Sequence, residues 1–218
     1  MDSVQALLQD QIAYYRARAP EYDETSAPDG DPYAPAASLG RQALREFAPR
    51  GRLIEIAAGT GQWTGLLADH ADELTVTDAT PEMLAINRAK TGDRSHVAYR
   101  VADAFALEPT WDHDATVIGF FLSHVPRARF EAFWDVLAGV LAPGGRVCFI
   151  DGGYPGAWPE DWIDRGTGIT RRRLRDGSVY RAVKVLWQPD DLTARLEELG
   201  WSASIRTEPP FYGGTAQR

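Results

Sequence analysis

At 218 residues, 44% hydrophobic and 25% charged, the chain is long enough for one well-buried core and too apolar to stay unfolded. Its formal net charge of −8 repels polyphosphate, which argues against a nucleic-acid partner and for a small molecule. No apolar run reaches the roughly 18 residues that a bilayer requires. The single Cys148 and four scattered His offer neither an internal disulfide nor a metal-ligand cluster, so no metal is expected.

The N-terminus "MDSVQALLQDQ" has no basic start and no apolar centre, so a cytoplasmic location is the expectation. Val4, Leu7, Leu8, Ile12 and Tyr15 recur at helical spacing, with Ser3 at the N-cap position. The Pro/Asp/Gly-rich stretch 20–35 reads as a long loop, and a second helix is predicted over 36–47, ended by Pro49 and Gly51. From there strands and helices alternate: "RLIEIA", "QWTGLLADH", "ELTVTD", "PEMLAINRAK", "HVAYRV", "ATVIGFF", "RARFEAFWDVLAGVL", then "RVCFID" after the stop at "APGG". Alternation at these lengths, with strands apolar on both faces, predicts a doubly wound α/β fold with a mainly parallel sheet and helices on both sides. Beyond Asp151 the rhythm changes. A Gly/Pro/Trp-rich connection leads to two strands around Asp176-Gly177, a helix over "QPDDLTARLEELG" and the strand "WSASIRTE". The whole of 1–218 is read as one domain, with an N-terminal helix and cover loop over 1–35 and an acceptor-side cap over 152–181.

In such sheets the ligand sits beyond the carboxyl ends of the strands, where the first strand-to-helix turn lies. That turn is "EIAAGTGQWT". It has no Lys, which excludes a nucleoside-triphosphate loop. Trp63 and Thr64 stand where a dinucleotide turn wants small residues. Gly59 and Gly61 permit positive φ and a close approach of ligand to backbone, and Ala57 and Ala58 keep that approach narrow.

The motif "EIAAGTG" resembles motif I of the class I S-adenosylmethionine-dependent methyltransferases, with Glu55 as its acid and Ala57 in place of the family's first glycine. "TVTDATPEML" ends a strand in Asp78, 17 residues after Gly61, where a carboxylate can accept both ribose hydroxyls. Thr80, before Pro81, is better placed than Asp78 to cap the next helix. "RVADAFAL", "FFLSHVP" and "LAPGGRVCFID" resemble the family's later motifs in the family's order, and the tail near "FYGG" suits its closing hairpin. The resemblance implies a seven-stranded sheet with an antiparallel last strand and S-adenosyl-L-methionine as cofactor. It further implies that Asp103 meets the adenine amino group, beside Ala104, Phe105 and Phe120. Met83 and Phe105 sandwich the base, although Met83 suits the core equally. Glu55 meets the cofactor ammonium, directly or through water. Tyr14, Tyr15 and Tyr22 are candidates for an aromatic cover, and each also suits packing of a helix on the sheet.

The expected reaction is methyl transfer to an O or N atom of a small metabolite. His124, past the fourth strand, is the candidate base, or else bonds the local backbone as it does in relatives. Asp151 orients it, binds an acceptor amine, or is a turn acid before Gly152-Gly153. Tyr154, Trp158 and Trp162 suggest an aromatic cap. Arg171 and Arg173 share one side of a strand, to pair with an anionic acceptor or to form a charged edge. The late aromatics suit an interface between two copies, a homodimer, as readily as a pocket. An RNA- or protein-directed methyltransferase and a non-catalytic S-adenosylmethionine sensor are the alternatives, the first disfavoured by "FLSH" after strand four and by the acidic charge.

Overall fold

The apolar run before the glycine turn forms the strand Arg52–Ile56 (β1), with Leu53 and Ile56 wholly buried, in a computed structural model that describes residues 3–26, 34–152 and 160–218. The strands that follow are Glu73–Asp78 (β2), Val97–Val101 (β3), His113–Gly119 (β4) and Leu141–Gly152 (β5). Next come Trp162–Asp164 (β6), Ile169–Arg173 (β7) and Val179–Val183 (β8), and the chain closes with Ser202–Glu208 (β9) and Phe211–Gln217 (β10). Seven of these make one sheet in the order β3-β2-β1-β4-β5-β10-β9. All neighbours from β3 to β5 are parallel, and β10 runs antiparallel to both β5 and β9. The fold is the doubly wound, mainly parallel seven-stranded sheet with an antiparallel last strand that the sequence predicts. Strand order reverses at β1, so the crevice at the carboxyl ends of β1 and β4 is the place such a sheet offers a ligand.

The helices are Ser3–Arg18 (α1), Tyr22–Ser26 (α2), Ala34–Phe47 (α3), Thr64–Ala68 (α4), Pro81–Thr91 (α5), Phe130–Val140 (α6) and Pro189–Glu198 (α7). Alternation along β1 divides the core in two. Ile54 and Ile56 face a layer with Phe130, Phe133, Trp134 and Leu137 of α6 and Leu192 and Leu196 of α7. Leu53 faces the other layer, with Leu39, Leu44 and Phe47 of α3, Trp63, Leu67 and Cys148. Burial pushes the Cys148 thiol up to about 12. Burying aromatic side chains of this size contributes on the order of 3 kcal/mol each, so α6 is the main apolar anchor of its face.

Three features depart from the sequence reading. Pro143 to Gly145 do not form a loop: they lie inside β5, where Gly144 takes φ 80° and the register against β4 shifts between His113 and Ala115. Part of the stretch read as a loop is α2, held by Thr25 Oγ1 donating to the Glu21 carbonyl at 2.7 Å and by Arg18 bonding Thr25 and Ser26. Finally, β6, β7 and β8 form a separate antiparallel sheet with α1 packed along β8. Arg181 of β8 pairs with Asp10 of α1 at 2.6 Å, and Gln11 receives the Val183 N–H at 2.9 Å.

Candidate functional site

The turn after β1 is built by positive φ: 53° at Ala57, 54° at Gly59 and 91° at Gly61. Ala57 therefore holds, with a side chain, the conformation that favours glycine. The two glycines serve different ends. A Cβ on Gly59 would meet no atom within 4 Å, so this residue faces open space. A Cβ on Gly61 would lie 2.7 Å from Asn87 Oδ1, so its bareness admits α5 rather than a ligand.

Gly59 opens on a cavity of about 770 Å³, a volume that includes its open mouth. Asp78 stands at its edge. Its Oδ2 accepts the Gly59 N–H at 2.9 Å, and its Oδ1 accepts the Thr80 N–H at 2.9 Å and hydroxyl at 2.8 Å. Burial still raises this carboxyl above its usual range. Thr80 occupies the N-cap position of α5, yet its hydroxyl serves Asp78 and makes no cap bond to the helix. Asp103 lines the cavity with its Oδ1 held by the Phe105 N–H at 2.9 Å; Ala104 and Phe105 follow it along the wall. Met83, 1% exposed, Phe120 at φ 56°, Ala57 and Tyr22 complete the residues expected there that do line the cavity.

Three expected cofactor residues lie behind the wall. Gly61 is one. Tyr14 is buried among Tyr15 and Tyr180 with the Arg18 guanidinium 5.8 Å from its ring centre. Glu55 is 1% exposed; its Oε2 accepts the Thr64 hydroxyl at 2.6 Å, and its Oε1 has no partner among the described residues. Burial and the nearby Asp78 push its carboxyl up to about 8, against the Thr64 bond.

At the far wall Tyr15 and His124 meet. His124 Nδ1 lies 2.7 Å from the Val183 carbonyl and Nε2 lies 2.9 Å from Tyr15 Oη. Burial, and then the charges of Lys184, Arg172 and Arg18, hold this imidazole well below its usual value. Asp151 does not touch it. Fully buried, Asp151 accepts the Ser123 and Gly152 N–H groups, each at 2.7 Å, and sits 3.8 Å from the Lys184 ammonium, which bonds Ser123 Oγ at 2.9 Å.

Register on β7 turns Thr170 and Arg172 inward, and not Arg171 or Arg173. Arg171 pairs with exposed Asp161 at 3.2 Å and Arg173 bonds the Gly177 carbonyl, so neither faces the cavity. Arg172 instead makes a largely buried pair with Glu160 at 2.8 Å. Tyr154 and Trp158 lie outside the described residues; Trp162 is part of β6. The sequence reading missed Leu8, Gln11 and Ile12 of α1, which line the cavity, and Lys184. The signal for Gln11 was a polar side chain one turn before Tyr15 on an otherwise apolar helix face.

The residues present fit the cofactor that the motifs imply. Gly59 leaves a bare cradle at the turn, and the orphaned Glu55 oxygen is an acceptor without a donor. Among the described residues no group of three or more His, Cys, Asp or Glu could hold a metal ion, and no helix is long and apolar enough to cross a membrane.

Comparison with known proteins agrees with this geometry. A family model described as a methyltransferase domain matches residues 53–145. A solved DhpI–SAH complex is 38% identical, with 96% of each chain covered and a TM-score of 0.84. A DhpI–SAM–HEP complex is 37% identical over 97% of this chain and 98% of that one, also at 0.84. The ubiquinone/menaquinone biosynthesis C-methyltransferase UbiE of Rubrivivax gelatinosus is 30% identical over 122 residues, 54% of this chain. That match spans 47% of the UbiE length, so the chain aligns with about half of this curated relative.

Proposed function

The chain belongs to the class I S-adenosylmethionine-dependent methyltransferases, and from that premise we propose that it methylates an oxygen of a small anionic metabolite. Bound S-adenosylmethionine supplies an electrophilic methyl group for in-line displacement. In this reading the chain's own residues supply alignment, worth effective molarities of about 10⁵ M or more. Asp78 holds the ribose hydroxyls, Asp103 the adenine amino group, and Gly59 keeps the turn bare for the cofactor's amino-acid end.

One observation carries the choice of acceptor. Arg18, Arg172 and Lys184 act electrostatically on the Tyr15–His124 wall from behind it, Arg172 paired with Glu160 and Lys184 3.8 Å from Asp151. Burial first, and these cations second, oppose formation of an imidazolium, which makes His124 a poor base and favours an oxygen that arrives already negative. A carboxylate or similar oxyanion needs no base. In this reading His124 and Tyr15 shape the wall, and the Arg172–Glu160 pair and Lys184 stand behind it and tune its potential. That DhpI, 37% identical to this chain, was solved in complex with SAM and a further component, HEP, supports a second ligand beside the cofactor.

The test is turnover with S-adenosylmethionine and a panel of small carboxylic, phosphoric and neutral acceptors, read by mass spectrometry of the product. Methyl esters of acids are expected. The name of UbiE favours a second reading, methylation at carbon. Product only on carbon, or only from neutral acceptors, overturns the first.

A further inference from the structure

A second cavity opens where the β6–β7 turn and the end of β8 meet the segment 122–129 that follows β4. It measures about 400 Å³ with its open mouth included, and Arg127, Arg165, Lys184 and Trp162 line it together with Gly168 and Val185. Among the described residues it shares no lining residue with the cofactor cavity. Every charged side chain on it is cationic, in a chain whose net charge is −8.

Backbone contacts fix this site. The Lys184 N–H donates to the Gly168 carbonyl at 2.7 Å, and the Val185 N–H donates to the Ser123 carbonyl at 2.7 Å. Gly168 takes φ 75°, and a Cβ there would lie 2.9 Å from the Lys184 carbonyl oxygen, so a bare residue lets the two segments close. Stacking holds the two arginines. The Arg127 guanidinium lies 4.6 Å from the Trp187 ring centre, and that of Arg165 lies 6.0 Å from the Trp162 ring centre. A guanidinium over an aromatic face keeps its N–H donors in its own plane, where the ring does not use them.

The acids nearest in sequence are committed elsewhere. Glu160 pairs with Arg172 at 2.8 Å, Asp161 pairs with Arg171 at 3.2 Å, and Asp164 Oδ1 accepts the Gly166 and Thr167 N–H groups at 2.9 and 3.4 Å. The stretch 153–159, outside the described residues, contains no acid. Asp151, 3.8 Å from the Lys184 ammonium, offsets that one charge. Among the described residues no carboxylate pairs with Arg127 or Arg165, which leaves two guanidinium charges on the cleft uncompensated. We propose that this cleft binds a small doubly charged oxyanion, held by the N–H edges of Arg127 and Arg165 with Lys184 beside them. The inference goes beyond the methyl acceptor proposed above and does not rest on it: failure of every acidic acceptor would leave it standing.

Calorimetric titration of the full chain tests it, with inorganic phosphate at a pH where it is doubly charged, with malonate and with acetate, all at one ionic strength set by chloride. Saturable binding of a dianion is expected, and the tighter of phosphate and malonate tells a phosphoryl site from a dicarboxylate site. Acetate, with one charge, should bind at least 10-fold more weakly. Arg127→Gln and Arg165→Gln, both at exposed positions, are each expected to weaken the dianion on the order of 10-fold, the size of a hydrogen bond to a charged group. Both should bind S-adenosylhomocysteine as the parent does. No saturable binding of either dianion, or equal binding of acetate, overturns the proposal. So does dianion affinity unchanged in both variants. Loss of dianion binding when S-adenosylhomocysteine is present would put the anion in the cofactor cavity and overturn it as well.

Discussion

Tyr15 Oη donates to His124 Nε2 across 2.9 Å, and the direction follows from the opposite side of the ring. A carbonyl can only accept, so Val183 at 2.7 Å fixes the proton on Nδ1 and leaves Nε2 as a lone pair. Tyr15→Phe leaves that lone pair buried without a donor. The variant is expected to lose about 1–3 kcal/mol of stability in denaturant unfolding, and a loss well below 1 kcal/mol would contradict the bond. The imidazole also makes the fold acid-sensitive. Folded His124 resists protonation, while the unfolded residue gains its proton below its usual value near 6.5. Stability therefore falls as the pH drops through that value toward the lower folded one.

Glu55 makes the opposite demand. Its carboxyl titrates near 4.5 when unfolded and at about 8 when folded, so the folded chain holds an extra proton between these values. Stability therefore falls as pH rises across that window and levels off above it. The groups that set this are the surrounding apolar burial, the Asp78 carboxylate and the Thr64 hydroxyl. At pH 7 the free protein keeps Glu55 neutral, and an ammonium beside it favours the carboxylate. Binding of S-adenosylhomocysteine is therefore expected to release a proton, seen as a dependence of binding enthalpy on buffer ionisation enthalpy. Glu55→Gln should abolish that dependence.

Gly119→Ala tests the notch that receives the Trp63 indole. With a Cβ 2.4 Å from Trp63 Nε1 and 2.6 Å from its Cδ1, either the ring or the strand end must move. Overpacking of this kind costs typically 1–3 kcal/mol. The melting temperature should drop accordingly, and Gly65→Ala, which has neither positive φ nor an atom within 4 Å of the added Cβ, serves as the reference.

Arg172 and Arg171 differ in what they face, so their variants should part. Removing Arg172 alone would strand Glu160, whose side chain is 8% exposed, so the informative change is Arg172→Met with Glu160→Gln. This pair is expected to raise the acceptor KM on the order of 10-fold and leave cofactor affinity alone. Arg171→Ala, which frees only an exposed contact to Asp161, should change neither. Equal KM values in both variants would remove Arg172 from acceptor recognition.

Much of this was legible in the residues because βαβ units place their motifs at strand ends. The positions of Gly59, Asp78, Asp103 and Phe120 follow from where apolar runs stop, and all four line the cavity. Alternation also separated Arg172 from Arg171 and Arg173. What alternation alone does not give is which side faces inward; that depends on Glu160 and on α1 packing against β8, contacts between segments more than a hundred residues apart in the second case. Gly61 and Gly59 look alike in the motif and differ only through Asn87, which the chain brings in from α5. Trp63 read as a misfit to a dinucleotide turn. Its place became intelligible only once Gly40 and Gly119 were seen to bracket it.

Cys148, behind the central strands, has a practical corollary. Alkylating reagents attack the thiolate, and a thiol held near 12 and 3% exposed presents almost none at neutral pH. A maleimide dye therefore leaves the native chain untouched. Introduced through Gln9→Cys, on the solvent side of α1, a second sulfur would carry the fluorophore by itself, and the helix covering the cavity could be watched during catalysis without first removing any native residue.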